Sequence, residues 1–326
     1  MTELVSIIIP CFNSEQWIEK AIDSCLNQTY QHLEIIVVDD GSTDNSLDII
    51  KTFGARIKWE TGINRGSNYA RNRGFELSSG TYIQYLDADD YLLPEKIEQQ
   101  VGYLLESDAD LVYSDQLLEQ YSSDEILCNK EVKVCGPHED ILEFLLSFEY
   151  FIQTANPLIK REAIARSDGW DESLKAAQDI DFFLELAMNG NKFLYHPGYH
   201  TVYRYYDSED KISSNRYNLS KYRLLVIQKA EKKLILLDKL SSKNRKALAY
   251  ACFRVALFGC YYLSYSDYRL LLRKTISLCP SFVPDSSMLQ NGGKMYNILN
   301  NYLGFTLAGV IYRFLKNLSL YRFEKS

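Results

Sequence analysis

The chain has 326 residues, of which 46% are apolar and 24% are charged, so it can bury a large core in one or two globular domains. Its longest apolar stretches fall short of the roughly 18 to 20 residues that a membrane-spanning helix requires, and we expect no such helix. Seven scattered cysteines without a Cys-x-x-Cys pair argue against a zinc or redox centre. Reduced thiols, together with an N-terminal MTELVSIIIP that lacks the cationic start of a secretory signal, predict a cytoplasmic protein.

The first 120 residues alternate short apolar runs with amphipathic patterns. The apolar runs VSIIIP, LEIIVVDD, RIKWE, TYIQYLD and DLVYSD predict strands. Helices are predicted between them near 14–27, 46–53 and 68–77, and another from Pro94, whose fixed φ suits a first helical turn. This alternation is typical of an α/β fold with a mostly parallel sheet that is flanked by helices on both faces.

The second half of the chain is less regular and ends in a basic region. Helices are predicted near 139–148 and 179–188, with a turn at SDGWDE between them and a strand near 192–195. From residue 216 onward the pattern is long, amphipathic and helical, with 19 Lys and Arg against 5 Asp and Glu, although the whole chain has a formal net charge of −7. We therefore divide the chain into an α/β domain of residues 1–215 and a basic helical region of residues 216–326.

Polar residues follow three of the predicted strands: CFN after the first, DDGS after the second and DADD after the fourth. Ligands of open parallel sheets bind at the carboxyl ends of the strands. Alternate side chains of an extended segment point the same way, so Asp87 and Asp89 are expected to face one site. Paired carboxylates suit Mg²⁺ or Mn²⁺, and Mg²⁺ is usually held together with substrate phosphates. The alternative interpretation is a solvated loop.

Four motifs in this order resemble the inverting family 2 glycosyltransferases, which have the GT-A fold. The motifs are VSIIIPCFN, IIVVDDGSTDNS, NRGSNYARNRG and YIQYLDADD, and SDGWDESLKAAQDIDFFLEL extends the resemblance to about residue 205. The resemblance implies sugar transfer from a nucleotide donor, by preference a UDP-sugar, to a hydroxyl of a glycan or lipid-linked acceptor. It also implies a role in bacterial surface-polysaccharide synthesis with Mn²⁺ or Mg²⁺ as cofactor. Arg204, in VYRYY, resembles a position that could meet the donor phosphates.

The resemblance assigns donor-binding roles by position. Pro10 and Phe12 would line the pocket of the base, and either Asp39 or Asp40 would accept the uracil N–H. Arg71, in Ala-Arg-Asn, would contact the nucleotide. The implied donor-binding residues are Pro10, Phe12, Asp39, Asp40, Asn64, Arg71, Asp87, Ala88 and Asp89.

The chemistry would rest on three carboxylates. Asp87 would reach the ribose, Asp89 would ligate the metal with Asp87 as a further ligand, and Asp179 would be the general base. Asp181, two residues further along the chain, is the alternative candidate for the general base. Gln178 stands where the family usually has glutamate, so a non-catalytic nucleotide-sugar-binding or assembly subunit is the alternative function.

The basic region 216–326 has two interpretations. Its Lys and Arg are interleaved with Leu, Ile, Phe and Tyr and end in VIYRFLKNLSLYRF, a pattern that suits peripheral contact with an anionic membrane. Alternatively, these helices pack on the α/β domain or on each other. Nucleic acid is not expected as a partner, because the positive charge is not joined to a recognisable reading module. A dinucleotide-dependent oxidoreductase is disfavoured, because IIIPCFNSEQW contains no glycine.

Overall fold

The computed structural model describes residues 3–121, 127–149, 151–206 and 215–284. The chain divides into two compact units, one comprising residues 1–141 and 151–208 and the other comprising residues 142–150 and 209–326. The first unit contains the sheet, and the elements described in the second are helices. Segment 142–150, which the sequence analysis gave to the α/β domain, belongs to the helical unit.

The first unit is built on a mixed sheet. Its described strands are β1 (Val5–Cys11), β2 (Leu33–Asp39), β3 (Lys58–Thr61), β4 (Tyr82–Tyr85), β5 (Tyr91–Leu92), β6 (Leu111–Tyr121), β7 (Leu127–Lys133), β8 (Leu158–Lys160) and β9 (Phe193–Tyr205). Their order is β3-β2-β1-β4-β8-β6-β9-β5, with β7 paired to β6. The first four strands run parallel, as their alternation with helices predicts, whereas β8 runs antiparallel to β4 and β6. The α/β class is therefore confirmed, and the antiparallel pairings make the sheet mixed beyond β4.

Helices cover the sheet and make up the second unit. Those in the described part of the chain are α1 (Ile18–Leu26), α2 (Ser46–Thr52), α3 (Ser67–Leu77), α4 (Lys96–Glu106), α5 (Ile141–Ser147), α6 (Arg161–Ala165), α7 (Gln178–Met188), α8 (Arg216–Leu236), α9 (Ser242–Phe258) and α10 (Tyr265–Leu278). The predicted helices agree with these bounds to within a few residues. The strand predicted near 192–195 continues to Tyr205, because shifts in its register with β6 carry the pairing past Pro197 and Gly198.

The core of the first unit lies around β1. All seven residues of this strand are buried, because it pairs with β2 and β4 and is covered on both faces. Helix α1 contributes Ile18, Ala21, Ile22 and Cys25 to the same hydrophobic core, and their spacing places them on one helical face. The ends of β1, β2 and β4 are thereby fixed relative to one another.

Glu34 on β2 joins three neighbouring segments. Its carboxylate accepts hydrogen bonds from the Ser6 hydroxyl (2.5 Å), the Ser79 N–H (2.6 Å) and the Gly80 N–H (3.1 Å), and from the Lys58 ammonium (2.6 Å). Burial raises the pKa of this carboxyl, but the hydrogen bonds from Lys58, Ser6 and Ser79 outweigh burial and hold the pKa at about 2. The ionised form is therefore favoured by folding.

We expect Glu34→Gln to lower the free energy of unfolding at neutral pH by roughly 1.5 to 3 kcal/mol, the usual worth of hydrogen bonds to a charged group. The folded-state pKa lies below the ordinary value of 4.5, so the stabilisation is complete above pH 4.5 and is lost as the pH falls toward 2. Urea denaturation at several pH values measures this difference. The control is Glu76→Gln, which removes only an exposed pair with Arg73. A stability loss that is independent of pH would contradict the assignment.

The second unit consists of helices whose starts are capped by side chains. Asn215, Ser241 and Ser264 accept hydrogen bonds from the N–H groups of Asn218, Asn244 and Asp267 at the starts of α8, α9 and α10. Among the helices in residues 3–121, 127–149, 151–206 and 215–284, none is long and apolar enough to cross a membrane. The terminal VIYRFLKNLSLYRF segment lies outside the described residues.

Candidate active site

The acidic segment after β4 is a tight turn. The Asp90 N–H donates to the Asp87 C=O (3.0 Å), so the extended geometry predicted for this segment is wrong. Asp87 and Asp89 are nevertheless half-buried, whereas Ala88 and Asp90 are buried. An Asp90 carboxylate oxygen accepts a hydrogen bond from the backbone N–H of Arg204 (3.0 Å), which anchors the turn to β9. The two aspartates of the Asp-x-Asp pair are thus the ones that solvent and ligands can reach.

Arg204 supports this turn from inside the fold. Its guanidinium donates to the Asp89 C=O (3.2 Å) and lies 4.9 Å from the Trp17 ring and 4.8 Å from the Tyr91 ring. The planar guanidinium is suited to such stacking between aromatic faces. Arg204 is fully buried and supports the acidic turn, and its contact with donor phosphates stays a prediction.

Arg71 on α3 connects the acidic turn with the start of α7. One guanidinium nitrogen donates to Asp87 (2.7 Å), and the other donates to Asn68 (3.0 Å) and Gln178 (3.5 Å). The guanidinium also lies 4.6 Å from the Trp170 ring. Only 6% of the Arg71 side chain is exposed, and a buried charge requires such partners. Two motifs that are far apart in sequence are therefore joined through one side chain.

Asp179 lies in the first turn of α7. Its carboxylate accepts the Ile180 N–H (2.9 Å), and a negative charge is favourable at a helix N-terminus. Ala177, just before the helix, has φ of 57° and ψ of 29°, a left-handed conformation that costs a non-glycine residue roughly 1 to 2 kcal/mol. The nine residues from Ile180 to Met188 are buried, so the helix is held firmly and presents its first turn at the site. Asp181 is among these buried residues.

The predicted carboxylates all influence Tyr203 on β9. Burial raises the pKa of its hydroxyl, and the negative charges of Asp90, Asp89, Asp87 and Asp179 raise that pKa further. The charges of the Asp-x-Asp pair and of the predicted base thus act on the same phenol.

Tyr206, which follows β9, contacts the predicted metal ligand. Its hydroxyl donates to an Asp89 carboxylate oxygen (3.2 Å), and its ring lies 5.1 Å from the ring of Trp17. Sequence reasoning missed Tyr203, Tyr206 and Trp170 as site residues. The only available signal was that they stand in VYRYY and SDGWDE, segments that the resemblance already covers.

The two aspartates that end β2 differ in their hydrogen bonds. Both oxygens of Asp40 accept backbone N–H groups, from Arg65 (2.8 Å) and Gly66 (2.7 Å), at the start of α3. Asp39 accepts the Thr61 hydroxyl (2.6 Å) on one oxygen and the Ser42 N–H (3.3 Å) on the other. Asp40 therefore anchors the start of α3, the helix that carries Arg71, in the manner of an N-terminal cap.

The remaining predicted donor-binding residues lie at neighbouring strand ends. Pro10 is buried in β1, Phe12 is 46% exposed directly after it, and Asn64 is exposed after β3. Gly41 has φ of 78°, and a Cβ there would lie 2.8 Å from the Asn64 nitrogen, so this close approach requires glycine. Burial raises the pKa of the Cys11 thiol to about 12, which suits packing rather than nucleophilic chemistry.

The donor set fits a magnesium-like cation. Within the described ranges, no group of three or more His, Cys, Asp or Glu side chains could enclose a metal ion. Two accessible carboxylates at a strand end suit Mg²⁺ or Mn²⁺, which retain water and phosphate ligands, and do not suit a closed zinc site. The roles of Asp87 and Asp89 as metal ligands stay predictions.

Known proteins resemble this chain in sequence. The model of glycosyl transferase family 2 matches residues 6–163. The amylovoran biosynthesis glycosyltransferase AmsB of Erwinia amylovora is 34% identical over 232 residues, which are 66% of this chain and 75% of that protein. Uncharacterized glycosyltransferases of Haemophilus influenzae and Rickettsia prowazekii are 36% and 33% identical over 49% and 56% of this chain, and the chain spans 64% and 58% of their length.

Solved structures share the fold. S. aureus TarS 1-349 in complex with UDP-GlcNAc has a TM-score of 0.64 at 18% identity, over 95% of this chain and 89% of that chain. The mannosyltransferase PcManGT of Pyrobaculum calidifontis, in complex with GDP-Man and Mn²⁺, has a TM-score of 0.52 at 17% identity, over 96% of this chain and 88% of that chain. The GT-A fold is thereby confirmed. Since the likeness to AmsB extends over three quarters of that protein, this chain belongs to glycosyl transferase family 2.

Proposed function

We propose that the protein transfers a sugar from a UDP-sugar to a hydroxyl of a glycan or lipid-linked acceptor in cell-surface polysaccharide synthesis. One observation carries the proposal: the Arg71 guanidinium bonds both Asp87, after β4, and Gln178, which precedes Asp179 in α7. These contacts support the proposal that the predicted donor-binding and proton-accepting motifs form one site. The relation to AmsB, an amylovoran biosynthesis glycosyltransferase, supports the polysaccharide role.

UDP is the proposed nucleotide. Exposed Phe12 offers a face for stacking on the base. Asp39 or Asp40 is the proposed partner of the uracil N–H. The Asp40 oxygens accept two short bonds from backbone N–H groups (2.8 and 2.7 Å), whereas one Asp39 oxygen accepts only a longer bond from the Ser42 N–H (3.3 Å), which favours Asp39. The complexes of TarS with UDP-GlcNAc and UDP support this choice, whereas the GDP-Man complex of PcManGT shows that the same fold accommodates another nucleotide.

Asp87 and Asp89 would hold the cofactor, Mn²⁺ or Mg²⁺. When bound, such an ion supplies positive charge that stabilises the departing diphosphate. The Tyr206 hydroxyl, which donates to Asp89, would orient that carboxylate. Arg71 would hold Asp87 in place and keep its charge balanced.

Asp179 is the proposed general base of a single displacement. Its carboxylate takes the proton of the acceptor hydroxyl while the acceptor oxygen forms a bond to the anomeric carbon of the sugar. The bond between that carbon and the diphosphate oxygen breaks, and the nucleoside diphosphate leaves with the electron pair. Attack from the face opposite the leaving group inverts the configuration at the anomeric carbon. Such proton transfer contributes typically about 10²- to 10⁴-fold to the rate.

A screen of UDP-, GDP- and TDP-sugars for nucleotide release, with Mn²⁺ or EDTA, tests this function. We expect metal-dependent release of UDP, which Asp89→Asn should abolish. The matched control is Asp108→Asn, which removes only an exposed pair with Lys192. Faster release of GDP or TDP would overturn the choice of donor. Donor binding without release would favour the alternative that Gln178 suggests, a non-catalytic binding subunit.

The helical unit is proposed to contact an anionic membrane from the cytoplasmic side, where lipid-linked acceptors would be available. The excess of Lys and Arg after residue 215 supports this proposal. It is separate from the chemistry of sugar transfer.

A further inference from the structure

The end of α8 presents apolar side chains to solvent. Ile235, Leu236 and Leu237 are 59%, 76% and 41% exposed, whereas the adjacent Leu234 is fully buried. Three consecutive exposed apolar residues lower the solubility of a protein and are uncommon where they serve no purpose. We call residues 232–246, from the last turn of α8 to the first turns of α9, the α8–α9 tip.

The backbone of the tip is well defined. Helix α8 ends with the Lys239 N–H donating to the Leu234 C=O (2.8 Å) and the Asp238 N–H donating to the Ile235 C=O (3.1 Å). Asp238 has φ of 54°, so the ending is a Schellman motif. The Ser241 hydroxyl caps α9 by accepting the Asn244 N–H (3.1 Å). The apolar side chains are therefore displayed by regular capping motifs at both helix ends and not by an irregular loop.

Positive charge surrounds the apolar side chains. Residues 229–246 contain seven Lys and Arg against two acidic residues. One of the two, Glu231, pairs with Lys274 of α10. The exposed cations Lys232, Lys239, Arg245 and Lys246 lie on either side of the three apolar residues in sequence. An exposed apolar edge among cations is the composition of segments that enter the interface of an anionic bilayer.

A hollow in the tip is lined by both apolar and cationic side chains. It has a volume of about 370 Å³ and is lined by the apolar Leu234, Ile235 and Leu240, by Ser241, by the acidic Asp238 and by the cationic Lys239 and Arg245, so the positive charge of the lining exceeds the negative. Guanidinium and ammonium groups bind phosphate oxygens through charge-assisted hydrogen bonds. The hollow therefore suits the phosphate of a lipid headgroup, with its acyl chains next to the leucines.

We propose that the α8–α9 tip is the membrane-docking site of this protein, with Ile235, Leu236 and Leu237 inserting into an anionic leaflet and Lys239 and Arg245 contacting lipid phosphates. This inference rests on the proposed membrane contact and not on the sugar-transfer chemistry. A symmetric contact with a second copy is disfavoured, because an isologous interface would bring two sets of like charges together.

Vesicle flotation of the full chain tests the proposal. Phosphatidylcholine vesicles are used with and without phosphatidylserine, and binding is expected only with phosphatidylserine. Ile235→Ser/Leu236→Ser/Leu237→Ser is expected to lower binding at least tenfold. Lys239→Ser/Arg245→Ser is expected to lower binding roughly fivefold for each cation lost. The matched control is Leu225→Ser/Leu270→Ser, which changes two leucines of α8 and α10 outside the tip that are 41% and 43% exposed, close to the 41% of Leu237.

The outcomes distinguish the tip from the other proposals. Thermal unfolding of each variant confirms that it is folded. If the full chain binds anionic vesicles and the tip variants bind equally well, the tip is not the docking site. If the full chain does not bind, or if the tip variants disrupt a dimer seen by sedimentation instead, the inference falls. Release of UDP from free donor is measured in parallel on the unmodified chain. If that chain binds anionic vesicles but releases no UDP, the result counts only against the sugar-transfer proposal.

Discussion

Asp179→Asn is expected to lower the turnover number by a factor of about 10² to 10⁴, because the amide cannot accept a proton from the acceptor hydroxyl. Donor binding should be unchanged. The asparagine oxygen can still accept the Ile180 N–H, so the first turn of α7 keeps its geometry. Steady-state kinetics with saturating donor, combined with calorimetric titration of UDP in the presence of Mn²⁺, separates the two effects.

The matched control for this experiment is Asp181→Asn on the same helix. Asp181 is buried, so this variant tests whether a carboxylate is needed elsewhere in the first turns of α7. We expect Asp181→Asn to affect stability more than turnover. If turnover collapsed in the folded Asp181→Asn protein and survived in Asp179→Asn, the assignment of the base would be wrong.

Arg71→Met is expected to lower both the stability of the protein and its affinity for the donor. The variant leaves Asp87 without the guanidinium partner at 2.7 Å and removes the link to Gln178. Loss of one partner of a buried ion pair costs about 3 to 5 kcal/mol, and we expect the lower end because 32% of the Asp87 side chain is exposed. The donor dissociation constant should rise at least about tenfold.

The same helix supplies the control, Arg73→Met. Arg73 is 32% exposed and pairs with Glu60 and Glu76 at the surface, where ion pairs contribute about 0 to 1 kcal/mol. Urea denaturation and titration of the nucleotide measure both variants. Equal losses in the two proteins would mean that the link between Asp87 and Gln178 has no special importance. Restoration of stability in Arg71→Met/Asp87→Asn would confirm that the pair is coupled.

Sequence alone predicted the features that depend on local periodicity. The buried strands β1, β2 and β4 are continuous apolar runs, and the helices between them have one apolar face, so their existence and approximate bounds follow from residue spacing. The same reasoning placed the acidic residues at the carboxyl ends of strands. The resemblance to family 2 glycosyltransferases rested on the same local motifs and is confirmed by the family model and by AmsB.

Other features were decided by contacts between distant segments. Sequence spacing suggested an extended Asp-x-Asp segment, but the Asp90 N–H closes a turn, and β9 supplies Arg204 to hold it. The assignment of segment 142–150 to the helical unit likewise depends on packing that no local pattern encodes.

Contacts among the predicted site residues are visible only in the tertiary structure. The negative charges of four carboxylates raise the pKa of Tyr203. Arg71 links α3, the turn after β4 and α7 through hydrogen bonds to Asp87 and Gln178. Periodicity reports which face of an element is buried, but it carries no information about which buried faces meet. Residue spacing along the chain therefore predicts the elements and their acidic ends. Only the packing of α7 and β9 against the sheet decided which side chains share the site, because hydrogen bonds and charge interactions act over a few ångströms in space, whatever the separation along the chain.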